Sequence, residues 1–152
     1  MIRNEQDYKK AIDLFRQDRE FTEKQREGLV AAGLSSEEVE TAMEPILAFQ
    51  AQLTEEITWY ENVLRHNFSP AKRLTDLGRL LIASRIASGL NQKQFADLLG
   101  VSEAQVSRDE RNEYRGITLE RAQQILDKLG ATVTTTLDDV RMRASERETV
   151  AA

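Results

Sequence analysis

Apolar residues recur along most of this chain at spacings of three and four, the signature of helices with one buried face. Tyr8, Ala11, Ile12 and Phe15 predict a helix over residues 6–17. Leu29 and Val30 predict a second short one over 23–32, ended by Gly33 with Leu34 reaching back across the stop. Ser36 before Glu37, Glu38 and Val39 reads as an N-cap with acidic residues in the first turn, where they complement the helix dipole.

From there Val39, Met43, Ile46, Gln50, Leu53, Ile57, Tyr60 and Leu64 form a heptad-like seam with Gln50 as its one polar member. Pro45 lacks the amide that a helix interior uses, so a kink or break is expected near Thr41. The seam suits either a helix packed on the two before it or an intermolecular coiled coil. Both readings make residues 1–69 a helical interaction arm. Asn67, Phe68, Ser69 and Pro70 then punctuate the chain.

A compact module follows over 70–130, divided by Gly89, Gly100, Gly116 and Gly130. A helix over 74–88 carries Leu77, Leu80, Leu81, Ser84 and Ile86 and stops at Gly89. Asn91 caps a helix over 92–99 that buries Phe95, Ala96 and Leu99, and Ser102 caps the next after a very short turn. Thr118 opens a last helix with Leu119, Ala122, Ile125, Leu126 and Leu129 as its apolar set. Two helices joined by so short a glycine-containing turn are the supersecondary pattern of a DNA reader.

Residues 74 to about 130 resemble the Cro and phage-repressor family, also called the Xre family. The resemblance rests on Arg85, Asn91-Gln92, Phe95-Ala96, Leu99-Gly100-Val101-Ser102 and Val106-Ser107-Arg108 with Glu110, at ungapped spacing. It implies a five-helix domain whose helix from Glu103 to about Glu113 enters the major groove of an operator. Glu103, Ala104, Gln105, Ser107 and Arg108 then face DNA, beside the cap Ser102. Arg108 can donate two bonds to a guanine edge, or serve a phosphate or a surface ion pair instead. The resemblance also places Gln92 at a phosphate beside a helix N-terminus, Arg111, Asn112 and Arg115 along the DNA backbone, and Arg85 in a structural ion pair with Glu110. Asp109 departs from the apolar or aromatic residue common at its place.

A net charge of -5 runs against DNA binding until its distribution is considered. Lys and Arg number 8 against 14 Asp and Glu over residues 1–69, but 8 against 6 over 70–115. The middle of the chain alone is basic.

After Gly130 the period changes from helical to two: Ala131, Val133, Thr135 and Leu137 alternate with Thr132, Thr134 and Thr136. This predicts one C-terminal β-strand over 131–140, with Thr132 to Leu137 pairing across a homodimer because the chain offers no second strand. Residues 141–152 read as a flexible tail. The expected fold class is thus mainly α: a helical arm, a five-helix Cro-like domain and a dimerising strand.

The remaining composition narrows the function. The chain has no cysteine and a single histidine, His66, which excludes thiolate chemistry and cysteine- or histidine-rich metal sites. No apolar run approaches the roughly 20 residues of a membrane span, and no signal segment opens the chain, so a cytoplasmic protein is expected. No nucleophile, phosphate loop or matched base supports an enzyme, and no cofactor is implied. The expected role is a dimeric repressor acting on double-stranded operator DNA. The joining of a helical N-terminal segment to a Cro-like domain also resembles HigA-type antitoxins, which implies a toxin partner at the arm as the alternative.

Overall fold

The computed structural model describes residues 1–136. Leu137, the remainder of the expected strand and the expected tail over 141–152 lie outside the described residues.

The chain begins with two long helices, α1 (Glu5–Ala31) and α2 (Ser36–Leu64), packed against each other along their length. The two short helices expected over 6–17 and 23–32 are one. The polar stretch between them contains neither Gly nor Pro, and its Thr22 is buried, receiving a bond from Gln50 Nε2 of α2 at 2.6 Å. Asn4 caps α1 through Asp7 N, and Gly33 in the left-handed region turns the chain.

The cap of α2 sits one residue earlier than expected. Ser35 Oγ accepts from Glu38 N while the Glu38 carboxylate accepts from Ser35 N, a closed capping box. Pro45 lies inside α2, which runs through it without a break. Thr41 and Pro45 are both exposed, so water can satisfy the carbonyl that the proline leaves unpaired. Within the seam, Val39, Met43, Leu53, Ile57 and Tyr60 are buried, whereas Leu64 is half exposed. Tyr8 of α1 stacks on Tyr60 at 5.1 Å between ring centroids and donates from its hydroxyl to Glu61 at 2.7 Å. The seam therefore closes within the chain, against α1, as the packed-helix alternative requires.

His66 ends α2 in a left-handed conformation, φ 56°, and its ring meets Phe68 edge-on. Beyond the connection over 67–73, the module contains one 3-10 turn (Leu74–Asp76) and four α-helices: α3 (Leu77–Ala87), α4 (Gln92–Leu99), α5 (Glu103–Arg111) and α6 (Leu119–Leu129). This corrects the five-helix expectation. The start of the expected 74–88 helix winds as a 3-10 turn, in which Asp76 accepts from Arg73 N.

The expected C-terminal strand is also corrected. Residues 131–136 belong to no strand, and no strand occurs among the described residues. A ladder needs a second edge, and a threonine-rich alternation supplies only one side of it. Residues Thr132 to Thr136 are exposed instead.

One hydrophobic cluster joins α1 and α2 to the module. It contains Ile2, Leu53, Ile57 and Val63 from the first part and Leu81, Ile82, Phe95, Val106, Ile125 and Leu126 from the second. Leu119, expected in this core, lies at the first position of α6 and is 64% exposed.

Candidate nucleic-acid interface

The α4–α5 pair is set by local chemistry at each end. Asn91 Oδ1 accepts from Gln94 N at 2.8 Å, and Gln94 Oε1 accepts in turn from Asn91 N. Gly100 ends α4 in the left-handed region, φ 69°, which glycine enters without a Cβ clash. Ser102 then caps α5 by accepting from Gln105 N at 3.2 Å. Phe95, Ala96 and Val106, each 1% exposed or less, fill the angle between the two helices.

A buried polar cluster fixes α5 to α3. Glu110 and Arg85 are almost wholly buried and form a two-pronged pair, Nε to Oε1 and Nη2 to Oε2, the latter at 2.9 Å. Gln92 Nε2 donates to the same carboxylate at 2.8 Å. Arg85 Nη1 donates to the Leu90 carbonyl at 2.6 Å, and Nη2 donates to the Arg3 carbonyl at 2.9 Å. The guanidinium thus ties the N-terminal segment, the α3–α4 turn and α5 to one point. Every arm of this cluster is charge-assisted, the strong class of hydrogen bond.

With its inner face held this way, α5 presents the other. Glu103, Ala104 and Arg108 are exposed, and Ser107 is half-buried. Gln105 is half-buried, with its amide donating to Asp109 Oδ1 at 2.6 Å; this intrahelical bond also accounts for Asp109 at a position where an apolar residue was expected. Arg108, Arg111 and Arg115 are exposed and form no ion pair with a described residue, so three free cations lie on or just after α5. Asn112 caps its end.

The match to the family expected from the sequence is direct. A family model for the helix-turn-helix, of the Cro/C1 type found in Xre regulators, matches residues 81–135. Residues 81–135 form a helix-turn-helix domain similar to that family's. Comparison with curated proteins and with solved structures gives no match. The helix-turn-helix domain supports a DNA-binding transcription regulator, with α4 and α5 as the paired helices. No described helix is long and apolar enough to cross a membrane.

Other features of the domain were not read from the sequence. One of the two Gln92 Nε2 protons goes to Glu110, and the other remains as a donor beside the backbone amides at the N-terminus of α4. The reach of Arg85 to the Arg3 carbonyl joins residues 82 positions apart, a distance over which no local pattern carries information. After α5, Glu113 and Tyr114 both adopt left-handed backbone, φ 49° and 51°. Tyr114 is buried, and its phenol is pushed well above its ordinary range by burial and then by the carboxylates of Glu110 and Asp109.

Proposed function

We propose that this protein is a sequence-specific repressor that binds an operator as a dimer, with α5 in the major groove. The observation that supports this reading is a rigidly backed α5 whose outer face carries Arg108, with Arg111 and Arg115 after it, all without ion-pair partners among the described residues. In this reading Arg108 reads a guanine edge, while Ser107, Ala104, Glu103 and Gln105 shape the neighbouring contacts. Arg111, Asn112 and Arg115 meet phosphates and set register rather than sequence. A twofold dimer would present two such helices about 34 Å apart, matching successive major grooves on one side of the duplex.

Genome-wide footprinting followed by binding to the recovered site tests this reading. Arg108→Ala should weaken that site by about 1–3 kcal/mol while leaving random duplex almost unchanged. Equal losses on both would reduce Arg108 to a phosphate contact. Sedimentation showing one monomer at every concentration, with and without operator, would reject the dimer.

A second reading, an antitoxin of the HigA type, is favoured by the surface of α2. That helix carries seven glutamates and no lysine or arginine, and Leu47 and Phe49 stand 41% and 46% exposed on it. Such a surface repels DNA and suits a basic protein partner. Co-expression with the product of an adjacent small gene tests it: the chain should relieve growth arrest, and Leu47→Glu with Phe49→Glu should abolish relief without loss of operator binding.

A further inference from the structure

Gly78, the second residue of α3, is fully enclosed by the chain that leaves α5. A Cβ built on it would lie 1.8 Å from the Glu113 carbonyl oxygen and 2.6 Å from the Glu113 carbonyl carbon. Both are backbone atoms, which cannot rotate aside as a side-chain tip can. At the point of contact, Glu113 and Tyr114 hold consecutive left-handed conformations that side-chain-bearing residues enter at a cost. Gly78 contacts the strained residues themselves. Tyr114 is anchored on the other side by burial, and its amide donates to the Asp109 carbonyl at 2.8 Å. Arg115, exposed and without an ion-pair partner among the described residues, is the next residue.

We propose that Gly78 is a positioning residue for DNA: by admitting the Glu113 backbone against α3, it sets the 112–116 turn so that Arg115 meets a phosphate. The inference rests on the DNA-binding reading. It adds that a glycine on α3, with no side chain to touch DNA, determines one backbone contact. Any side chain at 78 displaces the turn and takes Arg115 off the phosphate, while α5 keeps its Arg85–Glu110 anchor.

The test uses the full chain and a random duplex of about 20 base pairs, on which affinity follows phosphate contacts, measured across a salt series. Arg115→Ala should make the slope of log K against log salt shallower by about 0.9, the value of one phosphate. Gly78→Ala should do the same, and the double variant should lose nothing further, since the contact is already gone. Additive losses, or an unchanged slope in Gly78→Ala, would overturn the proposal.

Because Gly78→Ala strains the fold, the cycle is repeated in a Glu113→Gly background, where the turn can move without a left-handed penalty. There Gly78→Ala should regain its unfolding midpoint and keep the shallow slope. A slope restored along with the midpoint would assign Gly78 to stability alone, as would failure to fold in both backgrounds. A wild-type chain that binds no duplex at low salt would remove the DNA-binding reading and the proposal together, whereas an additive cycle on a binding chain removes the proposal only.

Discussion

Glu110 is a carboxylate with no exposed surface, and it persists there because Arg85 and Gln92 donate to it from two other elements. Removing one member of such a pair leaves a buried charge unanswered, which costs about 3–5 kcal/mol, whereas replacing both by apolar groups of similar volume is often neutral. Glu110→Ala should therefore lose about that amount in chemical denaturation. Arg85→Met with Glu110→Leu should recover most of it. Recovery will stop short of complete, because the Leu90 and Arg3 carbonyls lose their donor in the double variant.

Tyr114 offers a pH test at the same scale. Its folded phenol titrates above the unfolded value near 10, so its share of stability is intact below that pH and is lost as pH rises beyond it. Tyr8 and Tyr60 shift the same way, Tyr8 chiefly through its bond to Glu61 and Tyr60 chiefly through burial. Tyr114→Phe should match the wild type at neutral pH and unfold less readily than it at high pH. An unchanged alkaline transition would mean that the phenol is already ionised in the folded chain.

At the scale of elements, what the sequence disclosed was whatever is decided within a few residues. Asn91, Ser102 and Thr118 cap α4, α5 and α6 as their spacing indicates, and Gly89, Gly100 and Gly130 end helices in the left-handed region. The Arg85–Glu110 pair was legible only through family resemblance, since 25 residues separate its members. The continuity of α1 was hidden because its middle turn is polar, and polarity alone does not end a helix. Over 131–136 the alternation misled for the converse reason: period two describes a chain ready to be a strand, and a strand exists only where an edge receives it. Pro45 supplies the prediction at this scale. It occupies an exposed helix interior, where proline costs up to about 3 kcal/mol against alanine, so Pro45→Ala should raise the unfolding midpoint. A lowered midpoint would show that Pro45 stabilises α2 where it stands.

For the whole molecule, the decisive fact is that the core does not stop where the sequence is punctuated. Ile2 and Val63 share one cluster with Leu81 and Phe95, and the Arg3 carbonyl is bonded to the residue that holds α5. Arm and reader should then melt together. Trp59, the chain's single tryptophan, lies in the arm and faces Arg79 of α3, whose guanidinium is 5.5 Å from the ring centroid. Its fluorescence and the total helicity should report the same denaturation midpoint, as two-state unfolding requires. A Trp59 transition at lower denaturant would make the arm an independent unit.

The single bond from Gln50 to Thr22 bears on how the two long helices find each other. Leucines and isoleucines along a seam tolerate sliding by one heptad, because each apolar group finds another. An amide does not, since a slip would bury it against carbon and leave its protons unanswered. That pair acts as a detent, making one alignment of the hairpin cheaper than its neighbours. It thereby fixes which residues of α1 lie beside the glutamate-rich helix α2.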